Sequence, residues 1–354
     1  MELSAAKDEE AAVVRVAPPR TLSPEEKISL YRQMLLIRRF EEKAAQAFTL
    51  GKIKGFCHLY IGQEAVAAGA LSILEPTDPV VAGYRDHGLA LARGLSPHRC
   101  MAELFGKRTG LCKGKGGSMH FFDVTKHFYG GHGIVAAQMP LAAGIAFAQK
   151  YQGTRRVTVC FLGDGAVNQG VFHETLNLVS VWKLPVVYII ENNQYAMGTH
   201  VGRSTAGLPL VNRARSYDLA AIVADGMDVE DVREKVGEAV HLARTEQEPS
   251  LIEARTYRYR GHSMADPATY RPRDELEKYR QVDPLMRYLK RLLEEEIVSK
   301  EQAEALDKEI RSIVQEAFEF ADKSPDPTEE DLFEDVWAPE DSIPEFPKPR
   351  YNDF

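Results

Sequence analysis

Cysteine is scarce in this sequence, and long apolar runs are missing from it. The four cysteines, Cys57, Cys100, Cys112 and Cys160, are widely spaced and form no CxxC pair. This pattern argues against a disulfide scaffold and against a zinc knuckle. No apolar run approaches the roughly 18 to 20 residues needed to cross a bilayer, and acidic residues near the start disfavour a targeting segment. We therefore expect a cytoplasmic protein with no membrane association.

An excess of basic charge is also lacking. The formal net charge is -8, and no cluster of Lys and Arg is long enough to form the basic stripe that nucleic acid binding requires. With 354 residues and 44% hydrophobic content, the chain can bury one large core or two modest ones without disulfides or structural metals. These values are typical of a soluble enzyme that meets anionic ligands through local groups.

The composition along the chain predicts three parts. Residues 1–21 are small and charged and are expected to form a poorly ordered N-terminal arm. Residues 22–323 are expected to form one α/β domain with helical additions, and residues 324–354 an acidic, proline-rich C-terminal tail. The domain opens with a capping box, Ser23-Pro24-Glu25-Glu26, in which a hydroxyl at the N-cap is followed by Pro and then Glu at the third helical position.

Two apolar runs in the middle of the chain have the character of buried parallel strands. Val157–Leu162 and Pro185–Ile190 are continuously apolar, and a helical pattern at Gly170–Trp182 separates them. The succession predicts a β-α-β unit with a right-handed crossover. Because parallel strands end on the same side of a sheet, Gly163 and Glu191 should lie side by side.

The remaining regions give weaker patterns. Residues 51–133 are rich in Gly, His and aromatic residues, which predicts mostly loops, interrupted by short helices at Gln63–Leu74 and Pro97–Phe105. The other expected elements are helices at Lys27–Leu50, Pro140–Tyr151 and Asp228–Thr245, a strand at Ser250–Thr256 and a long charged helical region at Pro284–Ala321.

Polar residues follow both predicted strands. Gly163-Asp164-Gly165 ends the first, and Asn192-Asn193 follows the second after about 26 residues. Ligands of open α/β sheets bind outside the carboxyl ends of the strands, where Asp164 and Asn193 would converge. One carboxylate, one amide oxygen and a nearby backbone carbonyl supply half of the octahedron that Mg²⁺ prefers. The flanking glycines admit a diphosphate, to which the amides of Gly165 and Ala166 can donate.

This spaced GDG and NN pattern is the motif of thiamine-diphosphate enzymes. The chain resembles the E1 alpha family of 2-oxo acid dehydrogenases, in the bacterial pyruvate dehydrogenase style, over roughly Leu22 to Leu332. The resemblance also rests on GFCHLYIGQEA (55–65), GKGGSMH (114–120), FYGGHGIV (128–135), WKLP (182–185) and YRYRGHSMADP (257–267). It implies the thiamine-diphosphate-binding fold, a mostly parallel sheet with helices on both faces, an N-terminal helical arm and an extended C-terminal tail.

The resemblance also implies roles for individual residues. Asp164, Asn193 and the carbonyl of Tyr195 are expected to ligate Mg²⁺. The expected cofactor contacts are Tyr84, Arg85 and His262 at the diphosphate, with Gly133, Val135, Gly165 and Ala166 presenting backbone groups. His58 and His262 are the expected catalytic residues. A lone GDG is usually only a turn, and a lone histidine is more often structural, but the strand placement and the spaced Asn pair favour the cofactor.

The implied activity needs a second chain. Single-chain relatives carry a diphosphate domain and a pyrimidine domain, and two such domains need well over 354 residues. The resemblance thus implies an alpha2-beta2 heterotetramer with an E1 beta subunit, which decarboxylates pyruvate and reductively acetylates the lipoyl group of an E2 acyltransferase.

Alternatives of two kinds accompany this interpretation. Within the same chemistry, the alternatives are the E1 alpha subunits of an acetoin dehydrogenase and of a branched-chain 2-oxo acid dehydrogenase. The segment GFCHLYIGQEA favours the pyruvate enzyme over the branched-chain one, whereas acetoin remains open because the substrate pockets differ by a few apolar side chains. From other classes, a nucleotide-dependent oxidoreductase would need GxGxxG after its first strand, and no such run begins a β-α-β unit. A non-catalytic scaffold would tolerate the loss of Asp164 and Asn193.

Overall fold

A six-stranded parallel sheet organises residues 21–337, the part of the chain that the computed structural model describes. The strand order is β2-β1-β3-β4-β8-β7, and every neighbouring pair in it is parallel. Two further strands, β5 and β6, form a small antiparallel hairpin. The strands are β1 (Val80–Gly83), β2 (Phe128–His132), β3 (Thr158–Gly163), β4 (Val186–Asn192), β5 (Tyr195–Ala196), β6 (Thr199–His200), β7 (Ala220–Asp225) and β8 (Ser250–Arg255).

Helices cover both faces of this sheet. They are α1 (Pro24–Thr49), α2 (Glu64–Leu71), α3 (His87–Ala92), α4 (Pro97–Leu104), α5 (Gln138–Tyr151), α6 (Gly170–Val181), α7 (Val201–Ser204), α8 (Val229–Thr245), α9 (Arg273–Gln281), α10 (Pro284–Glu294) and α11 (Lys300–Lys323). Alternating side chains of a strand point to opposite faces. Val159 and Phe161 therefore join the core under α1, α2 and α8, whereas Cys160 and Leu162 join the core under α5 and α6. The predicted fold class is confirmed.

The strongest local patterns fold as predicted. The Ser23 side chain accepts from the backbone N–H of Glu26, and the Glu26 side chain accepts from that of Ser23, which completes the capping box of α1. Strands β3 and β4 pair in a register that sets Gly163 opposite Glu191. The two polar segments that follow these strands therefore begin side by side.

Other elements differ from the sequence prediction. The region 51–133, expected to be mostly loops, contains β1, α3 and β2. Strand β2 reads FYGGH, and glycine and histidine are poor strand formers; the parallel pairing with β1 determines its conformation. The long helical region near the C-terminus is two helices, because Ser299 and Gln302 form a new capping box at the start of α11. Strand β7 and helix α9 were not predicted.

The predicted N-terminal arm and most of the predicted C-terminal tail lie outside the described residues, so the domain boundaries stay predictions. The described start of the tail contacts basic residues of its own chain. The carbonyl of Pro325 accepts from the N–H of Arg108, and Asp326 and Asp335 pair with Lys107 and Lys113 at 2.7 and 2.8 Å. Within residues 21–337, none of the helices is both long and apolar enough to span a membrane.

Candidate active site

A cavity of about 330 Å³ opens at the carboxyl ends of the central strands. Strand β2 follows β1 on one side of the sheet, whereas β3 and β4 continue on the other, so the chain changes direction between β1 and β3. Such switch points leave a crevice where ligands of α/β sheets bind. The cavity is lined by residues that follow β1, β2, β3 and β4, and it includes nine of the predicted site residues: Tyr84, Arg85, Val135, Asp164, Gly165, Ala166, Asn193, Tyr195 and His262.

The adjacent residues Asn192 and Asn193 point in different directions. Asn192 donates to the buried carboxylate of Glu253 at 2.8 Å and lies by another pocket. Asn193 lines the cavity beside Asp164. Alternation along a strand separates two identical side chains in this way, so only Asn193 can act on a ligand in the cavity.

Asp164 is a buried carboxyl group with an unpaired oxygen. It is 2% exposed, and its Oδ2 has no hydrogen-bond partner among the described residues. Burial raises the pKa of Asp164 to about 6. A buried carboxylate is costly unless a cation or donors satisfy it, so the cavity holds an anionic group suited to a cation. The described residues contain no group of three His, Cys, Asp or Glu side chains that could hold a metal. A metal here would depend on one carboxylate and neutral oxygens.

A tight turn carries the chain from Asn193 to Tyr195. The intervening Gln194 has φ of +77°, and the N–H of Tyr195 donates back to the side-chain Oδ1 of Asn193 at 3.3 Å. The carbonyl of Tyr195 accepts from the buried guanidinium of Arg258 at 2.8 Å. An amide oxygen and a backbone carbonyl are thus held two residues apart at the cavity.

Three predicted residues form an aromatic cluster. The ring of His58 lies 4.9 Å from that of Tyr84 and 5.0 Å from that of His262, measured between centroids. Burial and the charge of Arg85 lower the pKa of His58 to about 2 and that of His262 to about 4. Both imidazoles are therefore neutral at pH 7, and neither Nδ1 has a partner among the described residues. Each ring can accept one hydrogen bond and donate another but contributes no fixed charge.

Arg85 lines the cavity, yet two of its donors are already engaged. Its guanidinium donates to the carbonyls of Leu59 and His262 at 2.7 and 2.8 Å. These bonds join the loop that carries His58 to the loop that carries His262. The predicted contact between Arg85 and a diphosphate stays a prediction, since guanidinium has five N–H donors and the carbonyls take only part of them.

Two predicted residues do not line the cavity. His58 lies behind Tyr84 and His262, and Gly133 lies beside His120 in the loop after β2. Their roles stay predictions. Sequence reasoning missed several lining residues, among them Gln63, Gln138, Gln169, Glu191 and Arg258. Gln63 lies within GFCHLYIGQEA and Arg258 within YRYRGHSMADP, two segments on which the resemblance rests. Their place in these segments was the sequence feature that could have identified them as site residues.

Gly165 fits the cavity wall only as glycine. A Cβ at this position would lie 2.7 Å from the Cβ of Ala196. Residues 165 and 196 therefore pack closely at this point of the wall. Overpacking of this kind costs about 1 to 3 kcal/mol.

We expect Gly165→Ala to weaken binding of thiamine diphosphate, the cofactor that the sequence predicts, by about tenfold, because the turn after β3 must shift away from Ala196. The variant G165A/A196G should recover most of the affinity, since the contacting methyl group is removed. Titration calorimetry on the four proteins of this cycle measures the coupling. Equal losses in G165A and in the double variant would show that the contact between residues 165 and 196 is not the cause.

The glycine-rich segment 112–117 wraps around a carboxylate of its own chain. Glu103, fully buried, accepts from the N–H groups of Cys112 and Gly114 through Oε2 and from those of Gly116 and Gly117 through Oε1, at 2.7 to 3.0 Å. Backbone nests of this type bind anions. The anion here is Glu103 of the same chain, so these N–H groups are already paired.

Replacing Glu103 with Gln should destabilise the protein by about 3 kcal/mol, because an amide nitrogen then faces N–H groups that need an acceptor. Thermal denaturation should show a lower Tm for E103Q. The control E309Q changes an exposed glutamate that pairs with Arg32 and should leave Tm within a degree or two. Unchanged Tm in E103Q would contradict the structural role of this carboxylate.

Comparisons with known proteins give matches over most of the chain. Residues 32–330 match the family model described as Dehydrogenase E1 component. The chain is 50% identical over 315 residues to the pyruvate dehydrogenase E1 component subunit alpha of Rhizobium meliloti, covering 89% of this chain and 90% of that protein. It is 47% identical over 313 residues to the Zymomonas mobilis protein of the same name, covering 88% of each. The chloroplastic subunit alpha-3 of Arabidopsis thaliana is 42% identical over 323 residues, covering 90% of this chain and 76% of that protein.

Proposed function

Because the chain belongs to the dehydrogenase E1 component family, we propose that it acts as the alpha subunit of a pyruvate dehydrogenase E1 that binds thiamine diphosphate through Mg²⁺. The observation that carries the proposal is the cavity at the strand switch point. It is lined by both Asp164, whose Oδ2 has no partner among the described residues, and the amide of Asn193. The relatives are pyruvate dehydrogenase subunits by name, which supports pyruvate over acetoin and branched-chain substrates.

The residues present fit a magnesium ion. Asp164 offers an unpaired carboxylate oxygen, and Asn193 and the carbonyl of Tyr195 offer neutral oxygens in the same cavity. Magnesium prefers such hard oxygen ligands and keeps some positions for water and phosphate. The Cβ position of Gly163 meets no atom within 4 Å, which supports close approach of a diphosphate. In this proposal these three residues hold the ion, and the ion offsets the repulsion between Asp164 and the diphosphate.

Further residues of this chain would hold the cofactor. Tyr84, Arg85 and His262 would contact the diphosphate, with backbone groups of Gly133, Val135, Gly165 and Ala166 completing the contacts. Gly165 and Ala166 begin a 3-10 helix at the end of β3, where N–H groups lack partners within the helix. When bound, thiamine diphosphate supplies the carbanion that attacks the 2-oxo group and the electron sink for loss of carbon dioxide.

His58 and His262 would act near the reacting atoms. Both are neutral at pH 7, so each ring offers one nitrogen as a hydrogen-bond acceptor and the other as a donor. The backbone N–H of His58 donates to the hydroxyl of Ser118, which also bonds to the buried His87. This network holds the loop of His58 in place while its ring faces Tyr84 and His262.

The proposal includes two protein partners. An E1 beta subunit would complete the active site in an alpha2-beta2 heterotetramer, and the lipoyl domain of an E2 acyltransferase would accept the acetyl group. The relatives are named subunit alpha, which supports a companion subunit.

Apolar side chains are exposed at the cavity and beside it, namely Val135, Met197 and the neighbouring Ile134. Such groups are commonly buried at interfaces, which supports a partner that covers the cavity. We also propose a cytoplasmic location, on the basis of the sequence features described above.

Reductive acetylation of a lipoyl domain tests this function. The chain is combined with its beta subunit, Mg²⁺ and thiamine diphosphate, and rates are compared for pyruvate, acetoin and a branched-chain 2-oxo acid. We expect pyruvate to give the highest kcat/KM by at least about tenfold, since a few apolar side chains discriminate by about 1 to 3 kcal/mol. A higher kcat/KM for either other substrate would replace pyruvate in the proposal.

A further inference from the structure

Gln63 is a buried side chain whose amide oxygen has a hydrogen-bond partner and whose amide nitrogen has none among the described residues. It precedes α2, is fully buried and lines the cavity. Its Oε1 accepts from the side-chain Nδ2 of Asn193 at 2.8 Å, across 130 residues of sequence. Its Nε2 has no hydrogen-bond partner among the described residues. A buried amide N–H without an acceptor is costly, so this nitrogen points to a ligand with an acceptor oxygen.

The orientation of both amides follows from one backbone group. The N–H of Tyr195 is a donor only, so the Asn193 atom that it contacts must be the oxygen, Oδ1. The nitrogen of Asn193 then faces Gln63, and the Gln63 atom that accepts from it must be Oε1. The nitrogen of Gln63 is therefore the atom left over. No choice of amide flip satisfies both contacts in another way.

We propose that Gln63 is a positioning residue for magnesium, which turns the amide oxygen of Asn193 toward the ion and donates its own Nε2–H to an oxygen of the bound diphosphate. This inference rests on the proposed function and deepens it, because it assigns a residue from a distant loop to the same site. Without Gln63, the 3.3 Å contact from the N–H of Tyr195 alone opposes rotation of the Asn193 amide, and a rotated amide presents nitrogen, which cannot ligate a cation.

The ligand set explains why such control matters here. The proposed site has a single carboxylate, Asp164, so each neutral oxygen carries a large share of the binding. Magnesium demands near-ideal octahedral geometry, whereas Ca²⁺ tolerates irregular ligand sets. Residues that orient metal ligands typically change metal affinity by about 10- to 100-fold when replaced. Loss of Gln63 should therefore impair Mg²⁺ binding more than Ca²⁺ binding.

Two substitutions separate the two ends of the Gln63 amide. Gln63→Met keeps the size but removes both acceptor and donor. Gln63→Glu keeps an acceptor for Asn193 and replaces the donor with a negative charge that faces the diphosphate. Matched controls are Gln149→Met and Gln149→Glu, since Gln149 is also buried and its side-chain oxygen accepts a hydrogen bond from Thr154, away from the cavity.

Binding is measured on the heterotetramer by calorimetry, with each metal titrated at saturating thiamine diphosphate and with the cofactor titrated at saturating metal. For Q63M we expect Mg²⁺ affinity to fall by about 10- to 100-fold and Ca²⁺ affinity to fall less. For Q63E we expect the wild-type ratio of Mg²⁺ to Ca²⁺ affinity but weaker cofactor binding. Both Gln149 variants should match the wild type in both measurements.

Different outcomes would contradict the role of Gln63 and the proposed function. Absence of cofactor binding in the wild-type heterotetramer would remove the proposed function. Normal wild-type binding with an unchanged ratio of Mg²⁺ to Ca²⁺ affinity in Q63M would overturn the role of Gln63 alone. Equal losses for both metals in Q63M would also overturn it, because they indicate a general packing defect. If Q63M fails to assemble, Q63E decides: wild-type cofactor affinity in that variant contradicts the donor role.

Discussion

Asp164→Asn is expected to lower kcat/KM of the reconstituted enzyme for pyruvate by about a thousandfold or more, equivalent to about 4 kcal/mol. Asparagine has nearly the same shape as aspartate but no negative charge. Asp164 is the proposed anionic ligand of Mg²⁺, and the two other proposed ligands, Asn193 and the Tyr195 carbonyl, are neutral. Their combined attraction for the cation without Asp164 should be too weak to hold the diphosphate.

The same substitution should leave the cofactor-free protein at least as stable as the wild type. Asp164 is buried, its Oδ2 has no partner among the described residues, and burial raises its pKa. A buried charge without a partner disfavours folding, and asparagine removes that charge. We expect a Tm for cofactor-free D164N equal to or above that of the wild type, together with loss of the rise in Tm that Mg²⁺ and thiamine diphosphate produce.

A matched control is Asp322→Asn, which removes an exposed carboxylate paired with Lys52 at the end of α11. This variant should keep wild-type activity and the wild-type response to Mg²⁺. Retention of more than a tenth of the activity in D164N, with unchanged Mg²⁺ dependence, would show that the metal is held elsewhere. A low Tm in D164N would instead assign Asp164 a structural role.

The chain without its beta subunit is expected to release carbon dioxide from pyruvate at less than about one thousandth of the heterotetramer rate. In the proposed function, a carboxylate against the ring nitrogen of the pyrimidine activates the cofactor, as in the thiamine-diphosphate enzymes that the chain resembles. Two carboxylates line the cavity among the described residues, Asp164 and Glu191. Asp164 is assigned to the metal, and Glu191 accepts a hydrogen bond from the hydroxyl of Tyr60. Neither is free for that role in the proposal, in which the required carboxylate comes from the beta subunit.

Release of labelled carbon dioxide measures this dependence. The alpha chain is assayed alone, with beta, and with beta in the absence of thiamine diphosphate. We expect activity only when both subunits and the cofactor are present. Appreciable turnover by the alpha chain alone, at the same cofactor and metal concentrations, would contradict the shared active site.

The sequence predicted the parts of the site that depend on local patterns. The two apolar runs fixed β3 and β4, and their spacing placed Asp164 and Asn193 at neighbouring strand ends, as the pairing of Gly163 with Glu191 confirms. The capping box at Ser23 was equally readable. Strands β1 and β2 were not, because the first has four residues and the second is rich in glycine. Their conformation follows from pairing in the sheet.

Which residues follow the two central strands was thus determined by the sequence itself, because side-chain periodicity and strand-end position are local properties. Which residues hold those groups in place was decided only by the tertiary structure. Gln63 reaches Asn193 across 130 residues, and Arg258 reaches the Tyr195 carbonyl across 63. Such long-range contacts produce no periodic pattern in the sequence. They form because packing removes these polar groups from water, and each must then find a partner in the folded chain.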